Sequence, residues 1–187
     1  MAGEDWTSSS AAYVRPPDEG APDAWSAELA ARGVRGGQRI LHAGEVPASV
    51  EVAELLGVAA GDVVVARRRL MLREDEPSEL TDTYYPVRVA RGTALASTAR
   101  IRGGAARLLA ELGFAGARVV EDVTARLPTR PEQSLLGLAA EQPVLTVARV
   151  TFDAQDSRIQ ADLMTMPAHL QRLRYETRIG SADRAHD

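Results

Sequence analysis

The chain has 187 residues, of which 45% are hydrophobic and 4% aromatic, and it carries a formal net charge of −4 at pH 7. That length suits one domain with a tail, built on an aliphatic core, and the acidic balance makes it a poor free-standing nucleic-acid binder. The absence of cysteine excludes disulfides, thiolate metal sites and a cysteine nucleophile, and suits the cytoplasm. His42, His169 and His186 are scattered without ligand spacing, so no metal is expected. No phosphate loop, dinucleotide fingerprint or Ser-His-Asp set occurs, so no cofactor is expected and nothing speaks for catalysis. No apolar run approaches the ~20 residues of a membrane span, and there is no signal peptide.

Residues 1–24 are polar and read as a flexible leader or linker remnant. Trp6 and Tyr13-Val14 stand out there as a short extended segment that could dock on the domain. Ala24 to Arg32 suits a helix ending at Gly33, and Gly36 to Ala48 a strand. Ser49 is placed to cap a helix over Val50 to Leu56, with Gly57 as its stop. The stretch from Gly61 to Pro86 reads as a hairpin, with a polar turn at Arg73 to Glu76 and Pro77 opening the return strand. Alternation puts Val65, Arg67, Arg69 and Met71 on one face and Val64, Leu70 and Leu72 on the other. On the return strand Glu79, Thr81, Thr83 and Tyr85 share a face, opposite Leu80, Asp82 and Tyr84.

After a connection over Val87 to Ala96, Gly103-Gly104 leads into a helix over Ala105 to Leu112, with Leu108, Leu109 and Leu112 on its buried side. Those glycines could offer backbone N–H groups to an anion, or simply make a turn. Ala117 to Leu127 suits a strand. Thr129, Pro131 and Glu132 make a strong helix start. Pro143 to Phe152 and Arg158 to Met166 form a second hairpin around a turn at Asp153 to Ser157. Leu170 to Thr177 is a last strand, and residues 179–187 a disordered tail.

An internal repeat runs through this order. At an offset of 80 residues Leu55-Leu56-Gly57 falls on Leu135-Leu136-Gly137, Val64 on Val144, Arg69 on Arg149 and Asp82 on Asp162. Two helix-plus-hairpin units therefore pair into one antiparallel sheet, with helices on one side and a cleft between the halves. Arg69 and Arg149 sit mid-strand among apolar residues. Each either grips an anion through its planar fork or pairs with Asp82, Asp162 or Glu121 across the sheet. Met71, Met164 and Met166 could form a pliable apolar wall.

The segments HAGEVPASVEVAELLGV, VVVARRRLMLREDEPSELTDTYYP, GGAARLLAELGF, EDVTARLPTRPEQSLLGL and PVLTVARVTFD resemble the UTRA domain, the effector-binding half of HutC-type regulators in the GntR family. The likeness spans Trp25 to Thr177. It implies an α+β fold like that of chorismate lyase: a mostly antiparallel sheet with flanking helices and an internal two-fold repeat, forming a ligand-binding domain over residues 25–178. It also implies a homodimer and a cytoplasmic sensor of a small molecule that controls transcription. DNA binding would come only through a winged helix-turn-helix for which this chain has no room, although SSSAAYVRPP is similar to the end of such a wing.

By the same likeness Arg69 matches an arginine that contacts acidic effectors. Met71 replaces its usual companion, Thr81 a ligand-binding glutamate, Gly104 a serine and Met166 a tyrosine. These departures remove polarity and imply an effector less polar than a sugar phosphate. The expected ligand set is Arg69, Met71, Thr81, Thr83, Gly104, Glu121, Gln160, Met164 and Met166. Two other classes compete. A stand-alone enzyme on this fold would need an acid such as Glu121 or Asp82 beside Arg69. A partner-binding module would instead form mixed dimers with a longer regulator.

Overall fold

A computed structural model describes residues 6–8, 13, 16 and 21–175. Most of the leader, the wing-like segment and the tail lie outside the described residues. Strand β1 (Trp6–Ser8) pairs in parallel with β8 (Gln171–Leu173). Helix α1 (Ala24–Ala30) starts at Asp23, whose Oδ1 accepts the Ser26 N–H at 3.0 Å. Strand β2 (Gly36–Pro47) then leads to α2 (Val50–Leu56), capped by Ser49 and stopped at Gly57 with φ 68°. That positive φ is where a glycine stop is needed.

The central hairpin is β3 (Val63–Arg73) and β4 (Glu76–Pro86). Its turn is tighter than expected. Only Glu74 and Asp75 lie between the strands, both with positive φ, and such a turn matches the twist of a two-residue hairpin. Helix α3 (Val87–Ala90) and a 3₁₀ turn (Ala94–Ala96) cross to α4 (Gly104–Glu111). Leu112 falls past the end of α4 and is 39% exposed, so it leaves the buried side expected of it. Strand β5 (Arg118–Arg126) precedes α5 (Arg130–Leu136). Here Thr129 and Glu132 form a reciprocal capping box. The second hairpin is β6 (Val144–Phe152) with β7 (Arg158–Pro167).

Six strands form one antiparallel sheet in the order β2-β3-β4-β7-β6-β5. The order is palindromic with respect to the repeat. β2, β3 and β4 of one half correspond to β5, β6 and β7 of the other, and β4 and β7 meet at the centre. Helices do not keep to one side. The neighbours Val64 and Val65 are both fully buried, and successive strand residues point to opposite faces, so both faces must be covered. Val64 packs with Val52, Ala53 and Leu56 of α2, whereas Val65 packs with Val89, Leu95 and Leu109 from α3, the 3₁₀ turn and α4. Helix α5 lies on the α2 side, where Leu136 meets Leu70 and Leu80. Helix α1 lies on the other side, where Trp25 and Leu29 meet Met71.

The repeat is offset differently along its length. Arg69 stands opposite Thr81, but Arg149 stands opposite Asp162. The return strands thus correspond at one residue more than the outgoing ones, because the loop between Phe152 and Arg158 is longer than the two-residue turn of the first hairpin. A one-residue shift exchanges the faces of a strand. Asp82 and Asp162 match in the sequence, yet they point to opposite sides of the sheet.

Candidate functional site

A cavity of about 700 Å³ lies between the sheet and α1, with the start of α4 at its rim. Strand alternation builds its floor. Arg67, Arg69 and Met71 come from β3, Glu79, Thr81 and Tyr85 from β4, Gln160, Asp162, Met164 and Met166 from β7, and Val147 and Arg149 from β6. Trp25 and Glu28 of α1 form part of the roof.

Of the residues expected to hold a ligand, Arg69, Met71, Thr81, Gly104, Gln160, Met164 and Met166 line this cavity. Thr83 is 1% exposed and lies beneath the floor. It receives a hydrogen bond from Arg69 Nη2 at 3.1 Å and donates to Asp162 Oδ1 at 2.7 Å. Glu121 does not line the cavity; it accepts from Arg149 Nε at 2.5 Å. Asp82 faces the other side, where Arg68 grips it with Nε at 2.8 and 2.9 Å. It is no partner for Arg69, and neither acid named for an enzyme stands free beside that residue. At the Gly103-Gly104 turn the Gly104 N–H is already donated to the Ile101 carbonyl at 3.2 Å.

The arginines of the cavity have different duties. Arg67 is 3% exposed and ties the loop after the 3₁₀ turn to the sheet, donating to the carbonyls of Ser97 and, at 2.9 Å, Ala99. Arg149 is held by Glu121, and each of these side chains is 9% exposed. Arg32 pairs with Glu28 at 3.6 Å. Among the described cavity arginines only Arg69 keeps a buried donor, Nε, without a partner. A buried donor left unmade costs free energy unless a ligand completes it.

Sequence reasoning passed over Glu79, Trp25 and Tyr85 as cavity residues. Alternation already put Glu79 and Tyr85 on the face of Thr81, and that signal could have found them. Trp25 had no such signal, because its position depends on where α1 docks. Burial pushes the Glu79 carboxyl and the Tyr85 hydroxyl up from their ordinary pKa values. A second hollow of about 640 Å³ lies on the opposite face, where the Arg68–Asp82 and Arg126–Glu132 pairs satisfy each other. Among the described residues no group of acids or histidines could hold a metal ion, and no helix is long and apolar enough to cross a membrane.

A family model described as the UTRA domain matches residues 31–175. An uncharacterised HTH-type transcriptional regulator of Streptomyces coelicolor is 31% identical over 123 residues, 64% of this chain and 46% of the relative. The chain thus spans about half the length of that relative. The effector domain of PhnF from Mycobacterium smegmatis shares the fold, with a TM-score of 0.71 and 22% identity over 88% of this chain and 99% of that one. A ligand-binding domain from Bordetella bronchiseptica, assigned to the GntR family of transcriptional regulators, has a TM-score of 0.65. It is 25% identical and covers 77% of this chain and 91% of that one.

Proposed function

The chain belongs to the UTRA domain family and resembles the effector-binding domains of GntR-family regulators, and on that premise we propose that its cavity receives a small-molecule effector whose acid end lies on Arg69. The observation that carries the reading is the buried Nε of Arg69, left without a partner on a cavity floor whose other arginines are engaged. A guanidinium satisfies a carboxylate with two parallel hydrogen bonds, so an acidic group completes the donors that Thr83 does not. Met71, Met164 and Met166 give the ligand an adaptable apolar wall. Thr81 and Gly104 add little polarity, so the effector is less polar than a sugar phosphate.

In a full-length regulator, effector binding would bias the arrangement of DNA-binding heads, and a coupling of ~1–3 kcal/mol suffices to alter operator affinity markedly. A cytoplasmic homodimer belongs to the same reading. The outer strand β5 supports it, with Val120 and Val123 exposed along it and Leu127 62% exposed just beyond.

Native mass spectrometry of the purified protein after exposure to a metabolite extract tests the proposal. The expected spectrum shows a dimer that retains one unmodified small acid, with retention lost in Arg69→Ala. A bound molecule that is chemically converted with time would overturn the sensor reading.

A further inference from the structure

Glu79 is the cavity carboxyl that the effector reading leaves without a task. It stands opposite Met71 and on the same face as Thr81. Among the described residues its only hydrogen bond comes from Thr81 Oγ1, which reaches Oε1 at 2.5 Å, and no arginine lies within ion-pair distance of it. The charged groups that act on it do so from neighbouring strands: Arg69 on β3, Arg149 on β6 and Asp162 on β7. Arg149 is already neutralised by Glu121, and Arg67, further along β3, is bound to carbonyls. Across the cavity, Glu28 of α1 is paired with Arg32, and Asp23 lies 4.0 Å from Arg100. Glu79 and Asp162 therefore face the same cavity, with Arg69 as the floor arginine that keeps an unmade donor among the described residues.

Arg69 is the diagonal cross-strand neighbour of Glu79, at a backbone separation of roughly 7–8 Å that long side chains span easily. Glu79 is partly buried in the cavity wall, and its loss of hydration pushes the carboxyl above its ordinary value while no cation is paired with it. A ligand ammonium would supply that cation and form a charge-assisted hydrogen bond with the carboxylate. A ligand with only an acid group gains nothing comparable at Glu79.

Building on the effector reading, we propose that Glu79 binds a protonated nitrogen of the ligand whose carboxylate Arg69 holds, so that the cavity takes a small zwitterion of the amino-acid class with its apolar part against the methionines.

Isothermal titration tests this with leucine, norleucine and phenylalanine, each compared with its deaminated acid and its decarboxylated amine. At least one amino acid is expected to bind 10-fold or more tightly than both of its counterparts. Glu79→Gln should bring amino acid and acid within about 2-fold; the wild-type comparison of each amino acid with its acid is decisive even if that variant folds poorly. An acid that binds as well as its amino acid overturns the ammonium site and leaves the sensor reading intact. If none of the nine probes binds, the amino-acid class is wrong, whereas the sensor reading falls only if the metabolite extract also yields no retained ligand.

Discussion

Arg69 and Arg149 occupy the same slot in the two halves of the sheet, yet they do different work. Arg149 lies between Glu121 on β5 and Asp162 on β7, both in register with it. Arg69 lies between Ile40 on β2 and Thr81 on β4. One guanidinium therefore sits in an ion pair between acids, while the other has a hydroxyl and an unmade donor. The repeat preserved the arginine and the backbone around it. The flanking strands decided whether that arginine supports the fold or is available to a ligand.

The largest expected effect tests that division directly. Arg149→Ala strands the poorly solvated Glu121 carboxylate and should cost about 3–5 kcal/mol in urea unfolding. Arg69→Ala should cost under about 1 kcal/mol, since it removes one neutral-acceptor hydrogen bond together with an unsatisfied donor. Equal losses would mean that the two arginines are both structural and that the contrast is false.

A second experiment makes the halves more alike. Ile40→Glu places an acid beside Arg69, as Glu121 is placed beside Arg149. Retention of an acidic ligand should weaken by about 10-fold or more, which is about 1.4 kcal/mol, because the introduced carboxylate competes for the guanidinium. Undiminished binding would show that the Arg69 fork is not the anion contact.

The helices of the repeat differ in the same way. Glu132 in α5 accepts hydrogen bonds from Arg126 and the Thr129 N–H, and these hold its pKa at about 2. The corresponding position in α2 is the buried Val52. A carboxyl lowered in the folded state stabilises it above the unfolded pKa of about 4.5, and that stability is lost as pH falls through about 4 to 2. Arg126 is 42% exposed, so solvent screening reduces the contribution to about 1–2 kcal/mol. Stability measured at pH 7 and at pH 2 should show this difference in the wild type and lose it in Glu132→Gln. A small effect is expected at the other cap. Ser49→Ala should cost about 1 kcal/mol, independent of acid, because the Ser49 hydroxyl accepts only the Val52 N–H at 3.2 Å.

Much of the fold was legible because it is locally encoded. Ser49, Thr129, Gly57 and Gly137 mark helix ends through hydrogen bonds and dihedral freedom that involve only near neighbours. Alternation along β3 and β4 separated the cavity face from the face under α2 and α5. It therefore placed Arg69 with Met71, and Thr81 with Glu79, before any strand was paired. The two-fold repeat was legible for the same reason, since each unit carries its own caps, turn and strand pattern.

What had to await the tertiary structure depends on register and docking. The longer second loop slides β7 by one residue against its counterpart, so Asp162 enters the cavity while Asp82 turns to Arg68. Glu121 is taken by Arg149 because β5 lies beside β6, and the cavity closes because α1 packs Trp25 and Leu29 onto Met71. Composition and periodicity determined which side chains share a strand face, because that follows from the backbone of a single segment. Which acid meets which arginine was decided only by the assembled sheet, because it depends on the alignment of segments far apart in the chain.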